Sequence, residues 1–130
     1  VCAAVLRRHG LRRFSVDVTG DLVCRGEVWR VPVPHPDDAA RAVAQVEVRD
    51  GSMATSRAAD VVDPATGLRA TGCRQATVVG PDPVLADALA TALVVRGVEG
   101  SRWFAQLPGW SACLVVGDEL AWWGDAVLPA

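Results

Sequence analysis

The chain contains no Lys, Asn, Ile or Tyr, and all 13 of its basic residues are Arg. Ala and Val occupy the places Ile would take, a bias of coding DNA rather than a sign of function. The formal charge is −2, which excludes the basic footprint of a nucleic-acid-binding domain. The arginines are scattered apart from Arg7-Arg8 and Arg12-Arg13, which read as a solvated helix end and a turn. His9 and His35 are the only histidines, and Cys2, Cys24, Cys73 and Cys113 form no C-x-x-C, so the spacing of a zinc site is lacking. Buried free thiols are the expected state, with one or two disulfides as the alternative. No apolar run approaches the roughly 18 residues that span a membrane. The opening residues read as an amphipathic helix rather than a secretory leader. What is present is core-forming material: 51% hydrophobic residues and a mean hydropathy of +0.24 in 130 residues, enough for one domain or a piece of one.

The pattern along the chain mixes helices and strands. Residues 1–9 place Val1, Ala4, Val5 and Leu6 on one helical face, and Gly10 stops the helix. Phe14, Val16 and Val18 alternate as in a half-buried strand, Thr19-Gly20-Asp21 turns, and Leu22-Val23-Cys24 continues. A strand follows from Val28, and the prolines between Pro32 and Pro36 are expected to break it. Residues 42–49 and 52–55 read as a hairpin about Asp50-Gly51. A buried strand over 76–79 precedes a helix capped by Asp82, with Pro83 at its first position. Its expected core face comprises Val84, Leu85, Ala88, Leu89, Ala92, Leu93 and Val95, and Gly97 ends it. A short helix near 100–106 and two strands, 112–116 and 119–123, close the chain. In the last strand Trp122 and Trp123 must point to opposite faces, one to the core and one to the surface.

The candidate chemistry lies on the helix after Asp82-Pro83. Asp87 and Thr91 are four residues apart and so share a face, offering a carboxylate and a hydroxyl to a hard cation such as Mg²⁺. The structural alternative is an exposed carboxylate beside a Thr hydroxyl bonded back to its own helix. His35, between prolines, receives no role.

Three stretches in order resemble one family: Val61-Val62-Asp63-Pro64-Ala65-Thr66-Gly67, Ala76-Thr77-Val78-Val79-Gly80-Pro81 and Ala86-Asp87-Ala88-Leu89-Ala90-Thr91-Ala92. His9-Gly10, Thr19-Gly20-Asp21, Trp29-Arg30-Val31 and Gly51-Ser52-Met53-Ala54-Thr55-Ser56 agree upstream. The chain thus resembles the C-terminal half of the FAD:protein FMN transferases, the ApbE family. The resemblance implies an α+β fold with a mixed, largely antiparallel sheet and a few packing helices. It also implies that residues 1–130 are the C-terminal portion of a flavin transferase domain whose N-terminal half is absent here. The implied activity is Mg²⁺-dependent transfer of FMN from FAD to a threonine of a target protein, releasing AMP. FAD and the target protein are the implied partners. By motif match Asp87 and Thr91 are the implied metal ligands and Val62 the implied contact to the flavin nucleotide. Asp63, Pro64 and Gly67 are expected to shape their turn, and no catalytic residue is assigned. The compartment stays open between cell envelope and cytoplasm.

The chain also departs from the family. It lacks a D-L-G-G-x-A-K-G stretch ahead of the first helix, and A-T-S-G becomes Ala54-Thr55-Ser56-Arg57. The histidine before the D-P turn is either replaced by Asp60 or absent altogether, and a paired glycine becomes Thr19-Gly20. Two alternatives therefore stand beside transfer: a degenerate binding module without catalysis, and hydrolysis of FAD to FMN and AMP.

Overall fold

The structure, a computed structural model, describes residues 1–129. Helix α1 (Cys2–Arg8) precedes strands β1 (Phe14–Val18), β2 (Asp21–Arg25), β3 (Val28–Pro34), β4 (Ala42–Arg49) and β5 (Ser52–Arg57). A 3₁₀ turn (Ala58–Asp60), β6 (Gln75–Gly80) and helix α2 (Pro83–Gly100) follow. A second 3₁₀ segment (Arg102–Gln106), β7 (Ser111–Val116), β8 (Glu119–Trp123) and β9 (Val127–Pro129) complete the order. Among the described residues the strands form two antiparallel sheets, one ordered β1-β2-β5-β6-β7-β8 and one ordered β3-β4-β9. This is the α+β architecture expected.

Strand alternation builds three layers from these elements. Ala54, Val78, Ala112 and Leu114 of the large sheet meet Ala86, Ala90, Leu93 and Val94 of α2. Their neighbours Met53, Val79 and Cys113 point the other way, against Val33, Val46 and Val48 of the small sheet. Helix, large sheet and small sheet are therefore stacked, because successive side chains of one strand leave on opposite faces.

Four expectations need correction. Asp50-Gly51 does not close a hairpin: β4 pairs with β3 and β9, while β5 pairs with β2 and β6, so the turn carries the chain from one sheet to the other. The local turn chemistry is present, with Asp50 at φ 44°, but a Cβ on Gly51 would lie 2.8 Å from the Gly80 carbonyl oxygen. Gly51 is thus kept small by packing against β6. The prolines do not end β3, which runs to Pro34 with a bulge after Val33. As an edge strand it loses little by their missing N–H groups.

The third correction concerns α2, whose buried residues are Ala86, Ala90, Leu93, Val94 and Gly97, while Val84 and Leu85 are exposed. In the first half of the helix alanine lets the backbone approach the sheet closely, so Ala86 and Ala90 face the core there, and Leu93 and Val94 do so further along. Gly97 does break the helical path, at φ 66°, although helix-like bonding resumes to Gly100. The fourth concerns Cys2, which is exposed; Cys24, Cys73 and Cys113 are buried free thiols as expected. Strand β9 had no counterpart in the reading of the sequence. Trp123 packs on the core and Trp122 is exposed, as alternation required.

Candidate functional site

Asp82 accepts a hydrogen bond from the Leu85 amide at 2.9 Å and starts α2 where β6 ends. Asp87 and Thr91 each follow a buried alanine by one residue, about 100° around the helix. They therefore flank the face packed on the sheet: Asp87 is exposed and Thr91 half-buried. Thr91 does not spend its hydroxyl on its own helix. Its Oγ1 lies 3.1 Å from Ser56 Oγ, at the end of β5. Beside it, Thr55 Oγ1 meets Thr77 Oγ1 at 2.8 Å.

A second carboxylate lies within electrostatic reach of Asp87. Asp21 opens β2, and its pKa is raised by partial burial, then by the charge of Asp87, then by that of Asp17. The β1–β2 hairpin that sets Asp21 has Thr19 at φ 54° and Gly20 at φ 98°, with the Gly20 amide bonded to Asp17 Oδ1 at 3.1 Å. A two-residue loop with both φ positive matches the twist of its strands, at the cost of strain in the β-branched Thr19. By sequence alone Thr19-Gly20-Asp21 is no more than a turn. The signal available was a carboxylate held at the first strand residue after a tight turn.

An open cavity of about 930 Å³ lies between these elements and the small sheet, with Asp17, Gly20, Met53, Ser56, Asp60 and Thr91 on its wall. Val62, expected at the flavin nucleotide, is 59% exposed and not on that wall, whereas its neighbours Asp60 and Val61 are. The D-P-x-T-G segment is bonded as a turn: Asp63 Oδ1 accepts from Ala65 N and Thr66 Oγ1 from Leu68 N, and Val62 bridges Arg69. Outside the cavity, Asp37 is held below its ordinary pKa by its hydrogen bond to Arg74. His35 Nδ1 accepts from the Asp37 amide, a loop contact.

Among the described residues no group of three or more His, Cys, Asp or Glu converges as a metal cage. The donor set is instead two carboxylates, Asp21 and Asp87, with the hydroxyls of Ser56 and Thr91. All are hard oxygen ligands, and Mg²⁺ typically takes only one or two carboxylates, the rest of its shell being water and phosphate. Partial burial raises the Asp21 pKa first and the charge of Asp87 adds to it, and a divalent cation between them would offset both. The residues fit such an ion.

Both the sequence and the fold are similar to those of known proteins. The chain is 30% identical over 133 residues to an FAD:protein FMN transferase of Klebsiella pneumoniae, covering 88% of this chain and 38% of that protein. It is 29% identical over 142 residues to the Escherichia coli K12 protein of the same name, covering 93% and 40%. In structure it resembles a variant of the flavin transferase ApbE from Vibrio cholerae (TM-score 0.74, 25% identity, 93% of this chain and 42% of that one). It also resembles the apo flavinyl transferase ApbE of Pseudomonas stutzeri (TM-score 0.71, 25% identity, 92% and 45%). The chain thus spans about two fifths of the length of the curated relatives it matches. The sequence pattern of the ApbE family matches residues 1–115, and the chain belongs to the ApbE family.

Proposed function

We propose that residues 1–130 are the C-terminal portion of a flavin transferase domain that moves FMN from FAD to a threonine hydroxyl of a target protein. The observation that carries this reading is Thr91 on the cavity wall, bonded to Ser56, with Asp87 one helical turn before it and its charge felt at Asp21, in a chain of this family. In the reaction the acceptor oxygen bonds to the FMN phosphorus, the P–O bond to the AMP phosphate breaks, and the acceptor proton leaves to solvent or phosphate.

Asp87 and Thr91 are the proposed Mg²⁺ ligands of this chain. The ion, when bound, would draw charge from the pyrophosphate and orient the leaving group. Ser56 holds the Thr91 side chain in the rotamer that turns its hydroxyl toward β5 and off its own helix. The Thr19-Gly20 turn presents Asp21 to the same region, and α2 fixes Asp87 on a rigid element rather than a loop. Val62 remains the proposed flavin contact, reached from the exposed side of the D-P turn.

The test incubates the intact protein carrying this chain with FAD, Mg²⁺ and an acceptor domain of a known flavin transferase. Flavin fluorescence that survives denaturation and maps to a threonine supports transfer. Free FMN and AMP with no labelled acceptor point to hydrolysis, and unchanged FAD points to a binding module.

A further inference from the structure

We propose that Arg57 and Arg41 form a diphosphate-binding pair on the wall of the cavity, holding the two phosphates of the dinucleotide. The nature of the ligand rests on the flavin-transfer reading above; its charge does not. Both arginines line the cavity and both are exposed. Among the described residues neither makes an ion pair or a side-chain hydrogen bond, whereas Arg13, Arg30, Arg74 and Arg102 are each paired with a carboxylate.

The fold brings the two together through Gln75. Arg57 ends β5 opposite Gln75 of β6, and Gln75, 1% exposed, donates from Nε2 to the Pro34 carbonyl at 2.8 Å. Pro34 pairs with Ala42, the residue after Arg41. One buried side chain thus ties the β5–β6 end of the large sheet to the β3–β4 end of the small one, with an arginine on each. Arg57 shares the cavity wall with Ser56 and Thr91, whose hydroxyls touch.

A guanidinium presents a planar fork of donors that matches phosphate oxygens and stays charged at any working pH. Two forks from two sheets suit two linked phosphates, and Val31 and Met53 on the same wall offer apolar surface to an attached ring. Asp17 and Asp60 also line the cavity, so a bare anion is favoured only where the arginines reach it. Position 57 is glycine in the family pattern A-T-S-G, which makes this contact a property of the present chain.

Calorimetric titration of the intact protein carrying this chain with ADP, AMP, adenosine and FAD at low salt tests the pair. ADP should bind about tenfold or more tighter than adenosine, on the scale of one charge-assisted hydrogen bond. Arg57→Gln and Arg41→Gln should each weaken ADP by a similar factor, leave adenosine unchanged and flatten the salt dependence, while Arg57→Lys recovers part of the loss. Both sites are exposed, and circular dichroism verifies the fold of each variant. Equal affinity for ADP and adenosine, no ADP binding, or glutamine variants that bind ADP as tightly as the parent overturns the proposal. FAD binding no tighter than ADP leaves the pair standing and sinks the flavin reading instead.

Discussion

Ser56 Oγ and Thr91 Oγ1 lie 3.1 Å apart, joining the end of β5 to the middle of α2. Thr91→Val should cost about 1 kcal/mol of stability, the usual net value of one hydrogen bond, and Ser56→Ala about the same. The double variant should cost less than the sum, because both single changes remove the same contact. Urea unfolding of the four proteins measures the coupling. Strict additivity would show that the two hydroxyls are solvated independently.

Thr19 sits at φ 54°, where a β-branched residue is strained, and a Cβ at the neighbouring Gly20 would meet open space. Relief of that strain exceeds the entropy lost by a more flexible unfolded chain, so Thr19→Gly should stabilise the protein by up to about 1 kcal/mol. A lowered melting temperature would mean that the Thr19 side chain holds the loop in some other way.

Gly97 has φ 66°, and a Cβ there would stand 2.5 Å from the Gly72 carbonyl oxygen. Gly97→Ala combines backbone strain with overpacking and should destabilise by roughly 1–3 kcal/mol. Gly67→Ala, equally left-handed but facing open space, should cost less. Equal losses at the two sites would remove the packing argument.

The absence of Lys and Tyr leaves the thiols as the side chains that titrate in mildly alkaline solution. Burial pushes Cys24, Cys73 and Cys113 from 9.0 up to about 11. A raised folded pKa gives stability that is complete below about 9 and lost as pH climbs through about 11, since the unfolded thiols ionise first. Urea midpoints measured across that window should fall steadily. A flat profile would contradict burial of the thiols. In the native state a thiol reagent should label Cys2 alone.

Most of the element order could be read from alternation and turn residues, because those signals are local. The cross-sheet step at Asp50-Gly51 could not: its turn chemistry is that of a hairpin, and only the packing of Gly51 on Gly80 separates the two outcomes. The core face of α2 was misread for a related reason. Hydrophobicity favours Leu85 over Ala86, but the close approach of helix to sheet selects the smaller residue. At the site, Asp87 and Thr91 were visible through helical spacing. Asp21 and Ser56, some 66 and 35 residues from their partners Asp87 and Thr91, became visible only once the sheet was folded.

Whether Asp87 and Thr91 hold a cation is decided by Mg²⁺ binding to the protein, read by competition with Mn²⁺ in electron paramagnetic resonance. A displaceable Mn²⁺ signal is expected in the parent, lost in Asp87→Ala and Thr91→Val and kept in Thr91→Ser, all with unchanged circular dichroism. Equal Mn²⁺ binding by the parent and Asp87→Ala would contradict that assignment.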